Sequence, residues 1–279
     1  MDTKMRKIRI LVRGAGDLGS GTIHRLHRAG FPVFVLETEH PSAIRRQAAF
    51  SEAIYCGKKE IEGVTAVLVK DLSQAEAVLE QGQIPVLADP AGSCISRWRP
   101  DVLVDATLSK KNTGITMDMA PLTIGLGPGF EAGRDVHCVI ETMRGHDLGR
   151  ILMCGKALPD TGVPGVIGGY GKERVIRAPA DGIFRAVKQI GDEVRKNERI
   201  AWIESESGSV DVRAEIGGIL RGILPDGYPV YSGLKSADVD PRAGEKKNCF
   251  TISDKARCIA GSVLEVVCAY EAGLIPRYF

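Results

Sequence analysis

The sequence predicts an α/β chain: a doubly wound parallel sheet, followed by a small β module set in ahead of a C-terminal helix. Three observations carry this. A strand, a glycine turn, a helix and a second strand open the chain; strand-length apolar runs then alternate with helical periodicity to about residue 105; and residues 177–230 hold an internal repeat with no helical period. The 279 residues are 44% hydrophobic and 26% charged, ordinary globular usage that argues against disorder and fibrous repeats. A formal net charge of +2 offers no footprint for nucleic acid or a membrane surface, so small ligands are expected. No apolar run reaches the roughly 18 residues that span a bilayer, and no signal peptide is read. The seven cysteines form no CxxC pair, which fits reduced thiols in a cytoplasmic protein and predicts no metal site.

Residues 7–13 read as a buried strand, and Gly14-Ala15-Gly16-Asp17-Leu18-Gly19 follows at once. Leu18, Thr22, Ile23, Leu26 and Ala29 then recur at helical spacing until Gly30, before a second strand at 32–36. In this context Gly14 makes the tight turn, Gly16 lets a phosphate approach the backbone and Gly19 lets the helix pack on the strand. The helix N-terminus offers N–H groups to the anion. Glu37, 18 residues after Gly19, stands where an acid accepts hydrogen bonds from a ribose hydroxyl pair, so NAD or another nucleotide is the expected cofactor. Asp17 suits the helix dipole but competes with a bound phosphate unless it points away or meets a cation.

Strands are read at 64–69, 84–88 and 102–105, with a helix at 73–80. Ligands in such sheets gather at strand carboxyl ends, which makes Asp89 and Asp105 candidates for cofactor binding. Lys110 and Lys111 follow in a loop able to hold an anion. Residues 121–126, 136–141 and 149–154 read as further strands joined by glycine-rich turns, one of which carries Arg144 and His146. Arg144 would meet an anion, and His146, as the residue type suited to proton transfer, would move a proton with Lys110 and Lys111.

Residues 177–194 align without gaps on 213–230, with identities that include Gly182/Gly218, Arg185/Arg221 and Gly191/Gly227. Each copy reads as two short strands around a glycine turn, and the pair resembles the barrel-sandwich hybrid of biotinyl and lipoyl carrier domains. A carrier needs a lysine on the hairpin at 203–209, and there is none, so a structural or docking role is expected. Ser253 caps a final helix with Ala256, Ile259, Ala260, Val263 and Val267 on one face, ended by Gly273 and Pro276 and packing back on the first domain. The expected division is a Rossmann-like domain at 1–115, a glycine-rich β segment at 116–172, the barrel-like module at 173–245 and the C-terminal helix at 246–279.

The segments VRGAGDLGSG, LVDATLSKKNTG, IGLGPGFEAGRDVHCVIETMRGHDLGR and SGLKSADVDPR together resemble one family, the YqeB-type accessory proteins of selenium-dependent molybdenum hydroxylase systems, similar to the Rossmann part of XdhC maturation factors. The resemblance implies a maturation factor that handles a molybdopterin-type cofactor, a phosphorylated small molecule, and that meets a molybdenum hydroxylase apoprotein. Lys110 and Lys111 match the family pattern, whereas Thr107 stands where it has arginine. The glycine loop also fits two other classes. One is an NAD-dependent oxidoreductase, favoured over an NADP enzyme because Glu37 repels a 2′-phosphate; the other is a non-catalytic nucleotide-sensing scaffold. The even charge balance permits a homodimer.

Overall fold

The computed structural model describes residues 8–206 and 208–275, so the readings that touch Lys7, Ser207 and Pro276 lie outside the described residues at those positions. The chain divides into two compact units. Unit 1 takes Met1–Pro41, Ala49–Asp160 and Ile252–Phe279, and unit 2 takes Ser42–Ala48 and Thr161–Thr251.

Unit 1 opens with β1 (Ile10–Arg13), α1 (Asp17–Arg28), β2 (Val33–Glu37) and the single-turn α2 (Ala53–Cys56). It continues with β3 (Lys58–Ile61), β4 (Val64–Val69), α3 (Leu72–Glu80), β5 (Ile84–Ala88), the single-turn α4 (Ile95–Trp98) and β6 (Val102–Asp105). The short strands β7 (Leu122–Leu126), β8 (Glu131–Ala132), β9 (Cys138–Ile140), β10 (Ile151–Leu152) and β11 (Gly155–Lys156) come next. One nine-stranded sheet runs β10-β9-β7-β6-β1-β2-β5-β4-β3, while β8 and β11 pair separately. Its strands are parallel from β9 to β4, and β10 and β3 close the two edges antiparallel.

Strand alternation explains why the central strands are apolar throughout. Ile10, Val12, Val33, Val35, Val102 and Val104 face one side, where they meet Ile23 and Leu26 of α1 and Ile259 and Val263 of the C-terminal helix α5 (Asp254–Glu271). Leu11, Phe34, Leu36 and Leu103 face the other side with Ala75, Cys94 and Trp98, and the Phe34 and Trp98 rings lie 5.2 Å apart. A Cβ at Gly21 of α1 would fall 2.7 Å from the Ala256 Cβ and 2.9 Å from its carbonyl oxygen, so α1 and α5 cross backbone to backbone. The Ser253 hydroxyl accepts the Ala256 N–H at 3.2 Å and starts α5. The β3–β4 hairpin turns through Glu62 and Gly63, both at positive φ (46° and 78°), the geometry of a two-residue turn.

The expected fold is corrected here. A doubly wound Rossmann-like sheet needs helical crossovers between its parallel strands. The connection from β6 to β7 has only the 3₁₀ turn Met117–Met119, and antiparallel strands occupy both edges. The architecture is mixed α/β: one large parallel and antiparallel sheet with separate antiparallel sheets, rather than a Rossmann domain carrying a barrel-sandwich hybrid.

Unit 2 comprises β12 (Val175–Arg177), β13 (Gly182–Ala186), β14 (Glu193–Val194), β15 (Arg199–Ser205), β16 (Gly208–Arg213), β17 (Gly218–Ile223), β18 (Tyr228–Val230) and β19 (Lys235–Asp240). They form two four-stranded antiparallel sheets, β12-β19-β17-β14 and β16-β15-β13-β18, around one apolar cluster that includes Phe184, Ile200, Ile203, Leu220 and Val239. The repeated glycines do the same work in each copy. Gly182 and Gly218 sit at φ +146° and +152°, and a Cβ on either would meet a carbonyl oxygen, of Glu204 or Asp240, at 2.2 Å. The segment Ser42–Ala48 straps this unit: the Ile223 N–H donates to the Ile44 carbonyl at 2.9 Å, and Arg45 Nη2 donates to the carbonyls of Asn248 and Thr251.

The DVDPR segment is an ion-pair ladder. Asp238 accepts both its bonds from buried Arg174 Nη2, at 2.9 and 3.0 Å, with Arg221 at 3.7 Å, and Asp240 is held by Arg242 at 2.7 and 2.9 Å. Asp238→Ala strands the Arg174 charge in a dry setting, and a loss of about 3–5 kcal/mol in urea unfolding is expected. A loss below about 1 kcal/mol, the ordinary level of a surface pair, would contradict the buried-pair account.

Candidate functional site

The glycine loop after β1 is built by close backbone approach. Gly14, at φ +90°, donates its N–H to the Leu36 carbonyl at 2.8 Å, and a Cβ there would lie 2.9 Å from the Ala106 carbonyl carbon and the Thr107 nitrogen. A Cβ on Gly19 would sit 2.2 Å from the Gly14 carbonyl oxygen, so α1 rests directly on the loop. Gly16 differs. It stands at the N-cap of α1 with φ −64°, no side chain caps the helix there, and a Cβ on it would meet nothing within 4 Å. The close contacts thus need Gly14 and Gly19, and the clear space lies over Gly16.

Glu37, at the end of β2, reaches back to this loop. Its Oε2 accepts the Ala15 N–H at 2.7 Å and its Oε1 accepts the Thr38 N–H at 2.8 Å. Burial raises its pKa above the ordinary carboxylate value, and these two amide bonds oppose the rise without cancelling it. Leu18 packs on the core below the loop.

Two of the sequence candidates are committed to the protein's own loops. Asp105 is buried: Oδ2 accepts from Arg13 Nη1 at 3.0 Å, while Oδ1 accepts the Thr107 hydroxyl at 2.6 Å and the Thr107 N–H at 3.0 Å. Thr107, where the family pattern has arginine, is therefore a cap on Asp105. Arg13 continues the brace by donating to the Pro90 carbonyl and the Thr113 hydroxyl. Asp89 accepts the N–H groups of Ser93 and Cys94, both at 2.9 Å, and so fixes the turn into α4. Burial pushes its pKa up, but these bonds outweigh burial and hold it below the usual value.

The remaining candidates line the rim formed by the strand carboxyl ends. Lys110 pairs with Asp160 at 3.2 Å, and Lys111 is exposed beside it. A cavity of about 520 Å³ is lined by Lys110, Pro128, Lys156, Ala157, Leu158 and Asp160, among others. A Cβ on Gly129 would fall 2.2 Å from the Ser109 carbonyl oxygen, which explains a glycine in the GPGF loop that borders it. Arg144 makes a two-pronged ion pair with Asp254, at 2.8 and 3.0 Å, and His146 is exposed two residues on. Glu141, buried at the end of β9, accepts the N–H groups of Met143 at 2.6 Å and Leu158 at 2.8 Å.

Sequence reading missed Lys255. It lies in the first turn of α5, half-buried, within electrostatic reach of Arg144, Asp17, Asp160 and Glu141. Burial and then the Arg144 charge lower its pKa, against the pull of the three carboxylates. The Ser253 cap was a signal for its place in a helix, but nothing local says which loops that helix start faces.

No protein-family profile matches the chain. It is 48% identical over 258 residues, 92% of its length, to a protein of Escherichia coli K12 described as "Uncharacterized protein YqeB". The chain spans about half, 47%, of that relative. Solved structures that align include the ectoine utilization protein EutE (DoeB) of Ruegeria pomeroyi, at 12% identity, 84% of this chain, 85% of that one and a TM-score of 0.26. An aspartoacylase family protein of Mesorhizobium loti aligns at 15% identity over 85% and 87% with a TM-score of 0.27. A succinylglutamate desuccinylase/aspartoacylase of Rhodobacter sphaeroides aligns at 15% over 85% and 86% with a TM-score of 0.28. At these scores neither their fold nor their chemistry is carried over to this chain.

These findings correct the expected identification. The relative's description assigns it no function and no family profile matches, and the aligned structures carry the titles of ectoine utilization, aspartoacylase-family and desuccinylase proteins, none of them an XdhC maturation factor. The reading as an accessory factor of selenium-dependent molybdenum hydroxylases, with its XdhC-like and molybdenum-cofactor attributes and its oxidoreductase and scaffold alternatives, is withdrawn accordingly.

Glu37 gives the site a pH signature. Its folded-state pKa is raised, so between the ordinary carboxylate value and the raised one the folded chain holds more protons than the unfolded chain, and stability falls as pH rises through that interval. Urea midpoints measured across it should fall more steeply for the wild type than for Glu37→Gln, which carries no charge there. Parallel curves would show that Glu37 is not held in a desolvated place.

Proposed function

We propose that unit 1 binds a phosphorylated small molecule bearing vicinal hydroxyls, with a nucleotide the first case to test. The observation that carries this is the helix start at Gly16: no side chain caps it, and the space above it is clear. An anion placed there meets the N-terminal end of α1 and its dipole. Gly14, Ala15, Leu18 and Gly19 hold the loop in that shape, and Glu37 stands beside it as an acceptor for a hydroxyl pair. Lys255 bears on the objection that Asp17 raises, because it is a cation within electrostatic reach of that carboxylate. Lys110, Lys111, Arg144 and His146 stand along the same rim as further contacts for an anionic ligand. Asp89 and Asp105 support the loops beneath it.

Two broader observations bear on the setting. No described helix is long and apolar enough to cross a membrane. All seven cysteines are free, which supports a cytoplasmic location.

Gly16→Asp tests the site. The backbone angles at Gly16 suit any residue and its Cβ direction is open, so the variant should unfold at the wild-type urea midpoint. Its carboxylate occupies the anion position. The loss of one or two charge-assisted bonds, about 1.5–3 kcal/mol each, should weaken binding by roughly 100-fold. Native mass spectrometry with NAD, NADP, ATP and CTP added separately reads this directly. Equal occupancy of wild type and variant by whichever compound binds would remove the glycine-loop site.

A further inference from the structure

A second cavity of unit 1, of about 350 Å³, lies between α1 and α5 and is lined by none of the candidate site residues. Gly21, His24, Arg25 and Arg28 line it from α1, spaced i, i+3, i+4 and i+7, so they form one stripe along that helix. Arg257 and Leu264, seven apart, line it from one face of α5, and Ile252 lines it just ahead of that helix. Arginines from two helices and an imidazole thus share a cavity with apolar side chains, and among the described residues no carboxylate lines it. Arg257 is held from the β3–β4 turn: its Nη2 donates to Glu62 Oε1 and Oε2 at 2.8 and 2.9 Å, and Oε1 also accepts the Ile252 N–H at 2.8 Å. Glu62 is thereby committed to Arg257. Arg25 and Arg28 make no side-chain ion pair or hydrogen bond among the described residues. The C-terminal dipole of α1 favours basic residues in its last turn, but it does not account for Arg257 being brought to the same cavity from another helix. His24 feels the same excess of positive charge. Its Nε2 lies 3.5 Å from the Glu62 carbonyl oxygen, and burial, then the charges of Arg257 and Arg28, lower its pKa against the pull of that carbonyl and the Glu62 carboxylate.

We propose that this cavity binds a small organic dianion, a phosphate monoester or a dicarboxylate carrying an apolar body. The planar guanidinium fork pairs with the oxygens of either acid, so Arg25 and Arg28 of α1 and Arg257 of α5 hold the charged head. Ile252 and Leu264 receive the apolar body. Like charges gathered in one cavity repel one another, and a bound dianion supplies the balance that the lining lacks. The proposal is independent of the glycine-loop reading, because Arg25 and Arg28 stand in the last turn of α1 while that loop precedes its first.

Isothermal titration calorimetry on the full chain at low ionic strength tests this. The probes are phenyl phosphate and phenylsuccinate, with inorganic phosphate and succinate as the same heads without an apolar body. The phenyl compounds should bind roughly tenfold more tightly than the bare ions, the worth of a partly buried ring. Arg25→Gln and Arg28→Gln should each weaken them by about tenfold or more, the loss of one charge-assisted contact. Arg28 is exposed, so Arg28→Gln should keep the wild-type urea midpoint. Lys70→Gln removes an exposed cation elsewhere in unit 1 and should leave the affinity unchanged. The titrations are repeated in Gly16→Asp, where the glycine loop no longer contributes, and the affinity should persist. Preference for either head supports the site and names the acid of its ligand. In NMR the His24 ring, which lies within the fields of Glu62, Arg257, Arg28 and His27, should titrate at higher pH with ligand bound, because the anion favours the imidazolium. Binding that survives both arginine substitutions, that falls equally in Lys70→Gln, or that leaves the His24 titration unmoved overturns the assignment, as does absence of binding by all four compounds.

Discussion

The placing of α1 by glycine contacts is the constraint on which the candidate site depends. Gly19 lets the helix rest on the Gly14 carbonyl, and Gly21 lets it cross α5 at Ala256. Both are backbone contacts with no room for a methyl group, so neither can be relaxed by a rotamer change. The first aims the N-terminus of α1 over the ends of β1 and β6. The second brings the start of α5, more than two hundred residues later in the chain, to the same rim. Remove either and α1 no longer sits between the glycine loop and α5.

Around that rim the charges sort by what already satisfies them. Asp105 and Arg13 are buried and bonded to each other and to backbone, an arrangement in which losing one partner strands the other, so they serve to hold the loops. Glu141 and Asp89 each take two backbone N–H groups. Each thereby anchors the loop that supplies those N–H groups. Lys110 and Lys111 are exposed, and the Lys110–Asp160 pair is a surface pair worth little to stability, so both amines are open to a ligand. Buried strand ends thus carry the fixed groups, and the loops beyond them carry those that can change partner.

Much of unit 1 was legible because its strands are buried on both faces and therefore uniformly apolar. The runs at 64–69, 84–88 and 102–105 coincide with β4, β5 and β6, and the Ser253 cap coincides with the start of α5. The edge strand β3 was not legible: Lys58, Lys59 and Glu60 give it no apolar alternation, and its pairing with β4 is fixed by the tight turn at Glu62 and Gly63. The glycine loop and Glu37 were legible from local spacing. Asp105 and Asp89 were found as strand-end acids, yet their partners Arg13, Ser93 and Cys94 show them to be braces, which spacing cannot reveal. Lys255 escaped because its significance is wholly a matter of tertiary neighbours.

Unit 2 shows a sequence repeat whose meaning is structural. The repeat at 177–194 and 213–230 is a structural identity, since Gly182 and Gly218 each pass a carbonyl oxygen at a distance that forbids a side chain. A strand that must cross another so closely twice, in equivalent places, will keep glycine in both copies whatever the domain does. The same holds for the DVDPR segment, whose acids are consumed by Arg174, Arg221 and Arg242. Its two acids are buried and each is held by arginine. Polar residues that stand out in a sequence can therefore be ones whose chemistry is already spent inside the fold, as these acids are.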